Sequence, residues 1–270
     1  MSHLYIEAII LSCTIHLPIF IFASVYCIVK IAAKMPNSLS CAFFFLLLSS
    51  VTSFSNNLKS SRLPTHLNVV ETIRDGMIEI DGNTVCYDVV KASPHSGPPI
   101  LYLPGLIRPK SEGKSVNLRS FCRKNGFSFL SADYFGTGKS TGAVIDGTVS
   151  KWTSDTIFLI ENLLGKKQGK VVLVGHGVGA WISFLIASKR PDLVRGVVGI
   201  AADPDFTEEL LWKSFSEEIK EKIMTEGVAE IKWGASKYSI SRNLIVDGRN
   251  NLLLTGGKGE SFFKSYFCQE

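Results

Sequence analysis

The order of apolar and polar positions divides the chain near residue 70. Before it, Ala8 to Val29 is a run of 22 residues without Lys, Arg, Asp or Glu, long enough to cross a bilayer as a helix. Lys30 and Lys34 follow directly, as positive-inside anchoring requires, while His16 and Pro18 interrupt its middle. A second uncharged stretch, Met35 to Leu58, has an eight-residue apolar centre at Cys41–Leu48. That centre is too short to span and matches a secretory h-region. Its serine-rich, acid-free surroundings overlap with an organellar transit sequence, although arginine is scarce. Three readings of residues 1–70 stand: a targeting peptide, a membrane anchor, or an extension upstream of a true start at Met35. No packed domain is expected there.

From Glu71 the pattern alternates between strands and helices. Met77–Ile80 and Thr84–Val89 flank Asp81-Gly82-Asn83 and read as a hairpin. Ile100–Leu103 is a continuous apolar run, the mark of a strand buried on both faces. Val116–Lys124 follows as a helix stopped by Asn125-Gly126, then Phe127–Ala132 as a strand. Trp152, Thr156, Leu159, Ile160 and Leu163 share one helical face. Val171–Val174 reads as a buried strand, Trp181–Ser188 as a helix and Val194–Ile200 as a strand. Such alternation predicts a mostly parallel sheet with helices on both faces. Residues 205–246 lose the strand signal and read as helical, with Ser214 and Glu217 spaced as a capping box.

Composition narrows the class. Apolar residues make up 46% and charged ones 20% of the chain, which excludes a disordered polymer. Six cysteines without any C-x-x-C exclude a disulfide scaffold and a zinc ribbon. Cys86 and Cys122 fall in strand and helix patterns and are expected as small core residues. The net charge of +5 is concentrated before residue 70, where Lys30, Lys34, Lys59 and Arg62 face only Glu7. It gives no reason to expect a nucleic-acid partner.

Three glycine-rich turns carry the candidate chemistry. Gly138-Lys139-Ser140 ends like a phosphate-binding loop, but a P-loop needs glycine where this chain has Asp133, so a structural turn is expected. Gly175, Gly177 and Ala180 satisfy a dinucleotide fingerprint, with Asp203 as the ribose-binding acid. The same residues, Gly175-His176-Gly177-Val178-Gly179, also read as a nucleophile elbow whose central serine is glycine. Leu103-Pro104-Gly105-Leu106, after the buried strand, stands where an oxyanion loop would lie.

Taken together, Leu103–Leu106, Asp133–Ser140 and Gly175–Gly179 with Trp181 resemble the α/β-hydrolase superfamily. Further stretches narrow the likeness: Gly199–Trp212, Met224–Val228, Ser236–Tyr238 and Ile245–Leu254. The chain thereby resembles the abhydrolase family of the mitochondrial palmitoyl-protein thioesterase and acyl-glucuronide esterase, from about Gly76 to Leu254. The expected organisation is a leader at 1–70, a partial hydrolase domain at 71–254 with a cap at about 204–246, and an unmatched tail at 255–270.

The resemblance implies a serine hydrolase of acyl esters and thioesters that uses no metal or cofactor. Its nucleophile falls on Gly177, and its oxyanion N–H donors fall on Leu106 and Val178. The triad acid and histidine should follow the elbow. The five histidines are His3, His16, His66, His95 and His176, and none does. His176 is expected to fill a slot between strand and helix, Asp203 to be a polar strand end, and Ser183 to face away from the elbow. The leading expectation is a truncated, catalytically silent family member, its last strands missing. A second is a module that binds an acyl chain, an acyl-protein or a protein in a groove under the Phe206–Tyr238 cap, and a third is the dinucleotide fold. The family points to mitochondria, and the N-terminal pattern to a membrane anchor or the secretory pathway.

Overall fold

The computed structural model describes residues 69–93, 97–164, 169–233 and 236–254. The leader runs, including Ala8–Val29, and the tail at 255–270 lie outside these residues. Among the described residues no helix is long and apolar enough to cross a membrane.

The hairpin forms as expected, with longer arms. Strand β1 (Val69–Ile80) pairs antiparallel with β2 (Asn83–Ala92), Ile80 opposite Asn83. Asp81 and Gly82 both take positive φ, 51° and 75°, the turn whose twist suits a two-residue hairpin. A bulge between Ile73 and Gly76 lets the Asp75 N–H reach the Asp88 carboxylate at 3.0 Å.

Strand β3 (Ile100–Leu103) is buried at every residue, in keeping with its uninterrupted apolar run. Helix α1 (Gly113–Asn125) ends at Gly126, φ 73°, the left-handed cap that the sequence predicts. Strand β4 (Phe129–Ala132), helix α2 (Val149–Leu159, prolonged by a wider turn at Ile160–Leu164) and strand β5 (Val171–His176) follow. Helix α3 (Val178–Lys189) buries every residue from Val178 to Ala187, so it lies in the core rather than on the surface. Strand β6 (Val194–Ile200) is the last strand of this sheet among the described residues.

The strand order is β1-β2-β4-β3-β5-β6. β4, β3, β5 and β6 run parallel, while β1, β2 and β4 pair antiparallel. The mostly parallel α/β architecture is therefore as the sequence predicts. Cys86 and Cys122 are fully buried core residues, and burial pushes the Cys122 thiol up to about 12.

The cap corrects the sequence reading twice. Residues 205–246 are not all helical: β7 (Val228–Trp233) and β8 (Ser236–Ser241) form an antiparallel hairpin between α4 (Glu217–Glu226) and α5 (Arg242–Arg249). The hairpin faces inward through Ala229, Ile231 and Ile240, while Glu230 and Lys237 pair at 2.7 Å on its exposed side. The capping residue of α4 is Ser216, whose hydroxyl accepts from Ile219 N. Ser214 instead donates its hydroxyl to the Leu210 and Leu211 carbonyls, closing the turn before it.

Candidate active site

Strand β5 turns into helix α3 through one residue. Gly177 holds φ 54° and ψ −119°, a conformation nearly closed to residues with a Cβ. Its N–H donates to the Ile200 carbonyl, and its own carbonyl accepts from Ala180 N, both at 3.0 Å. The flanking glycines serve a different purpose. A Cβ on Gly175 would lie 2.5 Å from the Ala180 backbone, and one on Gly179 would overlap the Leu103 and Pro104 carbonyls. A Cβ on Gly177 would meet only Asp203 Oδ2, at 3.8 Å. The outer glycines are thus required by packing, while at Gly177 only backbone strain opposes a side chain.

The loop after β3 approaches this turn and is held from behind. Lys110 N–H donates to Asp133 Oδ1 at 2.6 Å, and its ammonium lies 2.7 Å from Asp88 Oδ1 and 2.6 Å from Asp75 Oδ1. Arg119 from α1 binds the other Asp88 oxygen, and Tyr134 donates its hydroxyl to the Pro104 carbonyl at 3.2 Å. Burial alone would raise the Asp88 carboxyl, but the Asp75 N–H and the Lys110 and Arg74 charges outweigh it and hold it low. Sequence reasoning missed this cluster, because its members are spread over four elements with no local pattern.

Loop, elbow and cap enclose a cavity of about 330 Å3. Leu106, Gly177 and Val178 line it, as do Phe206, Leu210, Leu211, Ile231, Tyr238 and Ile240, which make its lining largely apolar, and Arg108, His176, Asp203 and the Tyr238 phenol are its ionisable side chains. The cap hairpin contributes Ile231, Tyr238 and Ile240 to that lining. The Leu106 and Val178 N–H groups have no hydrogen-bond partner among the described residues, as expected at a helix start for Val178.

Burial pushes the Asp203 carboxyl up. Burial, with the Lys114 and Arg108 charges, pushes His176 down against the raising effect of Glu112. His176 Nδ1 is buried without a hydrogen-bond partner among the described residues and lies 3.9 Å from Glu112 Oε1, the oxygen that also receives the Tyr102 hydroxyl. His176 does sit between strand and helix as expected, but it also borders the cavity.

The competing nucleotide readings fail on geometry. Asp133 fills the anion position of its own loop, accepting Lys139 N–H at 3.0 Å, and a Cβ on Gly138 would overlap its carboxylate. That loop is a structural turn. The turn of Gly175, Gly177 and Ala180 follows the fifth strand of the described sheet, whereas a dinucleotide fingerprint follows the first strand of its fold. Asp203 lies beside Gly177 itself, and Ser183 closes its hydroxyl onto the Gly179 carbonyl at 2.7 Å, inside α3.

Comparison with known proteins agrees with this geometry. Residues 98–225 match the α/β hydrolase fold family model. The mitochondrial palmitoyl-protein thioesterase ABHD10 of Bos taurus is 31% identical over 163 residues, 58% of this chain and 51% of the relative. Its Homo sapiens counterpart is 27% identical over 160 residues, with the same shares. The chain thus spans about half the length of these curated relatives. The solved structure of mouse ABHD10 superposes with a TM-score of 0.57 at 23% identity, covering 68% of this chain and 72% of that one. Est1E from Butyrivibrio proteoclasticus gives 0.55 at 20%, covering 71% and 74%. Strand order, elbow and sequence match lead to one conclusion: this chain has the α/β-hydrolase fold.

Proposed function

We propose that this chain is a catalytically silent member of an esterase and thioesterase lineage that retains an acyl-binding cavity. The observation that carries the reading is Gly177. It holds the strained elbow geometry that would present a nucleophile, in open space, with no side chain to present. Loss of a triad nucleophile removes about six orders of magnitude of turnover. The sole described histidine, His176, immediately precedes Gly177 on β5, with no hydroxyl at Gly177 to activate.

The binding half of the reading rests on the cavity. About 330 Å3 lies within the ordinary range for small ligands. Its lining is largely apolar, while the Leu106 and Val178 N–H groups, without hydrogen-bond partners among the described residues, serve as donors for a carbonyl oxygen. The relatives bear the name palmitoyl-protein thioesterase, which supports a long acyl chain bound as ester, thioester or acyl-protein. Their mitochondrial designation supports the same compartment here.

Equilibrium binding and turnover of a long-chain acyl thioester, measured on the full chain, test the two halves separately. The expected result is saturable binding without thiol release and without labelling by a fluorophosphonate. Thiol release above the buffer rate refutes the silence, and absence of saturable binding refutes the cavity's role.

A further inference from the structure

The empty side-chain position at Gly177 changes which head group the cavity suits. An acyl ester brings one carbonyl oxygen to the Leu106 and Val178 N–H groups, and its second oxygen carries an alkyl group that must leave the pocket. A free carboxyl group brings two bare oxygens. A Cβ at Gly177 would meet only Asp203 Oδ2, at 3.8 Å, so an oxygen placed one bond beyond that point comes within hydrogen-bond reach of Asp203. Serine would fill this space with its own hydroxyl; glycine leaves it to the ligand.

We propose that the cavity binds a long-chain free carboxylic acid, one carboxyl oxygen on the Leu106 and Val178 N–H groups and the other in the Gly177 space, bonded to Asp203. This rests on the acyl-cavity reading and names its ligand class. Two carboxyl groups this close share one proton, because both cannot ionise together. Arg108, which lines the same cavity, balances the net single negative charge of the pair. Burial already favours the protonated form of Asp203, and His176 is pushed down by burial first and by the Lys114 and Arg108 charges after it, against Glu112. Among the described residues, the ionisable groups that line the cavity with Asp203 are Arg108 from the loop after β3, His176 from β5 and Tyr238 from β8. An ester has no proton to share and no charge for Arg108 to balance. Phe206, Leu211, Ile231 and Ile240 receive the hydrocarbon chain.

The test is titration calorimetry of the full chain with dodecanoic acid and with methyl dodecanoate, from pH 6 to pH 8. The acid binds about tenfold or more tightly than the methyl ester at pH 6, the worth of a charged hydrogen bond. Its affinity falls as pH rises, approaching about tenfold per unit, because the complex must then take up a proton. Asp203→Asn flattens that slope, since an amide donates to a carboxylate without titrating. Gly177→Ala fills the space with a methyl group and erases the preference for the acid. In both variants, retained binding of the methyl ester shows that the cavity is folded. Equal affinities for acid and ester, a pH-independent affinity for the acid, or an unchanged slope in Asp203→Asn overturns the proposal. If the ester binds as well as the acid without turnover, the silent acyl-binding reading survives alone; if neither ligand binds, both fall.

Discussion

Lys110 Nζ lies 2.7 Å from Asp88 Oδ1, and both side chains are shut off from water. Their contact ties the loop that carries Leu106 to the antiparallel end of the sheet. Asp88→Ala leaves Arg119 without the Asp88 carboxylate and Lys110 with Asp75 as its remaining partner, which costs about 3 kcal/mol, the lower end for breaking a buried pair. Urea unfolding at pH 7 is expected to show a loss of that size. The folded-state carboxyl of Asp88 is depressed, so its contribution is present above the unfolded value of about 3.9 and lost as pH falls through the folded value. Acid unfolding of the wild type below pH 4 is therefore expected to be steeper than that of Asp88→Ala.

The three elbow glycines separate by mechanism. Gly177→Ala adds a methyl group in open space at φ 54°, a strain of about 1–2 kcal/mol. Gly175→Ala and Gly179→Ala drive a methyl group into backbone and cost about 3 kcal/mol or more. Thermal unfolding of the three variants is expected to rank Gly177→Ala as the mildest.

His176 should titrate below its ordinary value of about 6.5. Because the folded protein disfavours the imidazolium, stability is lost as pH falls below about 6.5 and regained above it. A proton NMR titration of the His176 ring is expected to show a depressed midpoint, and Glu112→Gln to depress it further by removing the one raising charge.

Asp205 receives the Leu253 and Leu254 N–H groups on its two carboxylate oxygens, each at 2.7 Å, under the end of the cap. In Asp205→Ala these amides lose their acceptors. Hydrogen exchange at Leu253 and Leu254 is expected to accelerate at least tenfold, the worth of about 1.4 kcal/mol of local opening.

Much of the fold was legible from local pattern. Asp81-Gly82 gave the hairpin, Ile100–Leu103 the central buried strand, and Gly126 the helix stop. The elbow was legible too, since Gly175, Gly177 and Gly179 lie within five residues. What stayed hidden depends on tertiary contacts. Val228–Trp233 does alternate, but only Ala229 and Ile231 mark its inner face, a weak signal beside the strongly helical Glu217–Glu226. The pairing of Lys110 with Asp88 joins positions 22 apart in sequence, and nothing near either residue announces the partner. Ser214 and Glu217 matched the capping spacing, yet Ser216 holds the extended backbone that a cap requires.

The central claim is that Gly177 leaves this hydrolase fold without a nucleophile. Intact-mass spectrometry of the full chain after incubation with a long-chain acyl thioester tests it most directly. The account predicts an unchanged protein mass and no thiol released above the buffer rate. A mass increase equal to one acyl group, or catalytic release of thiol, would contradict it.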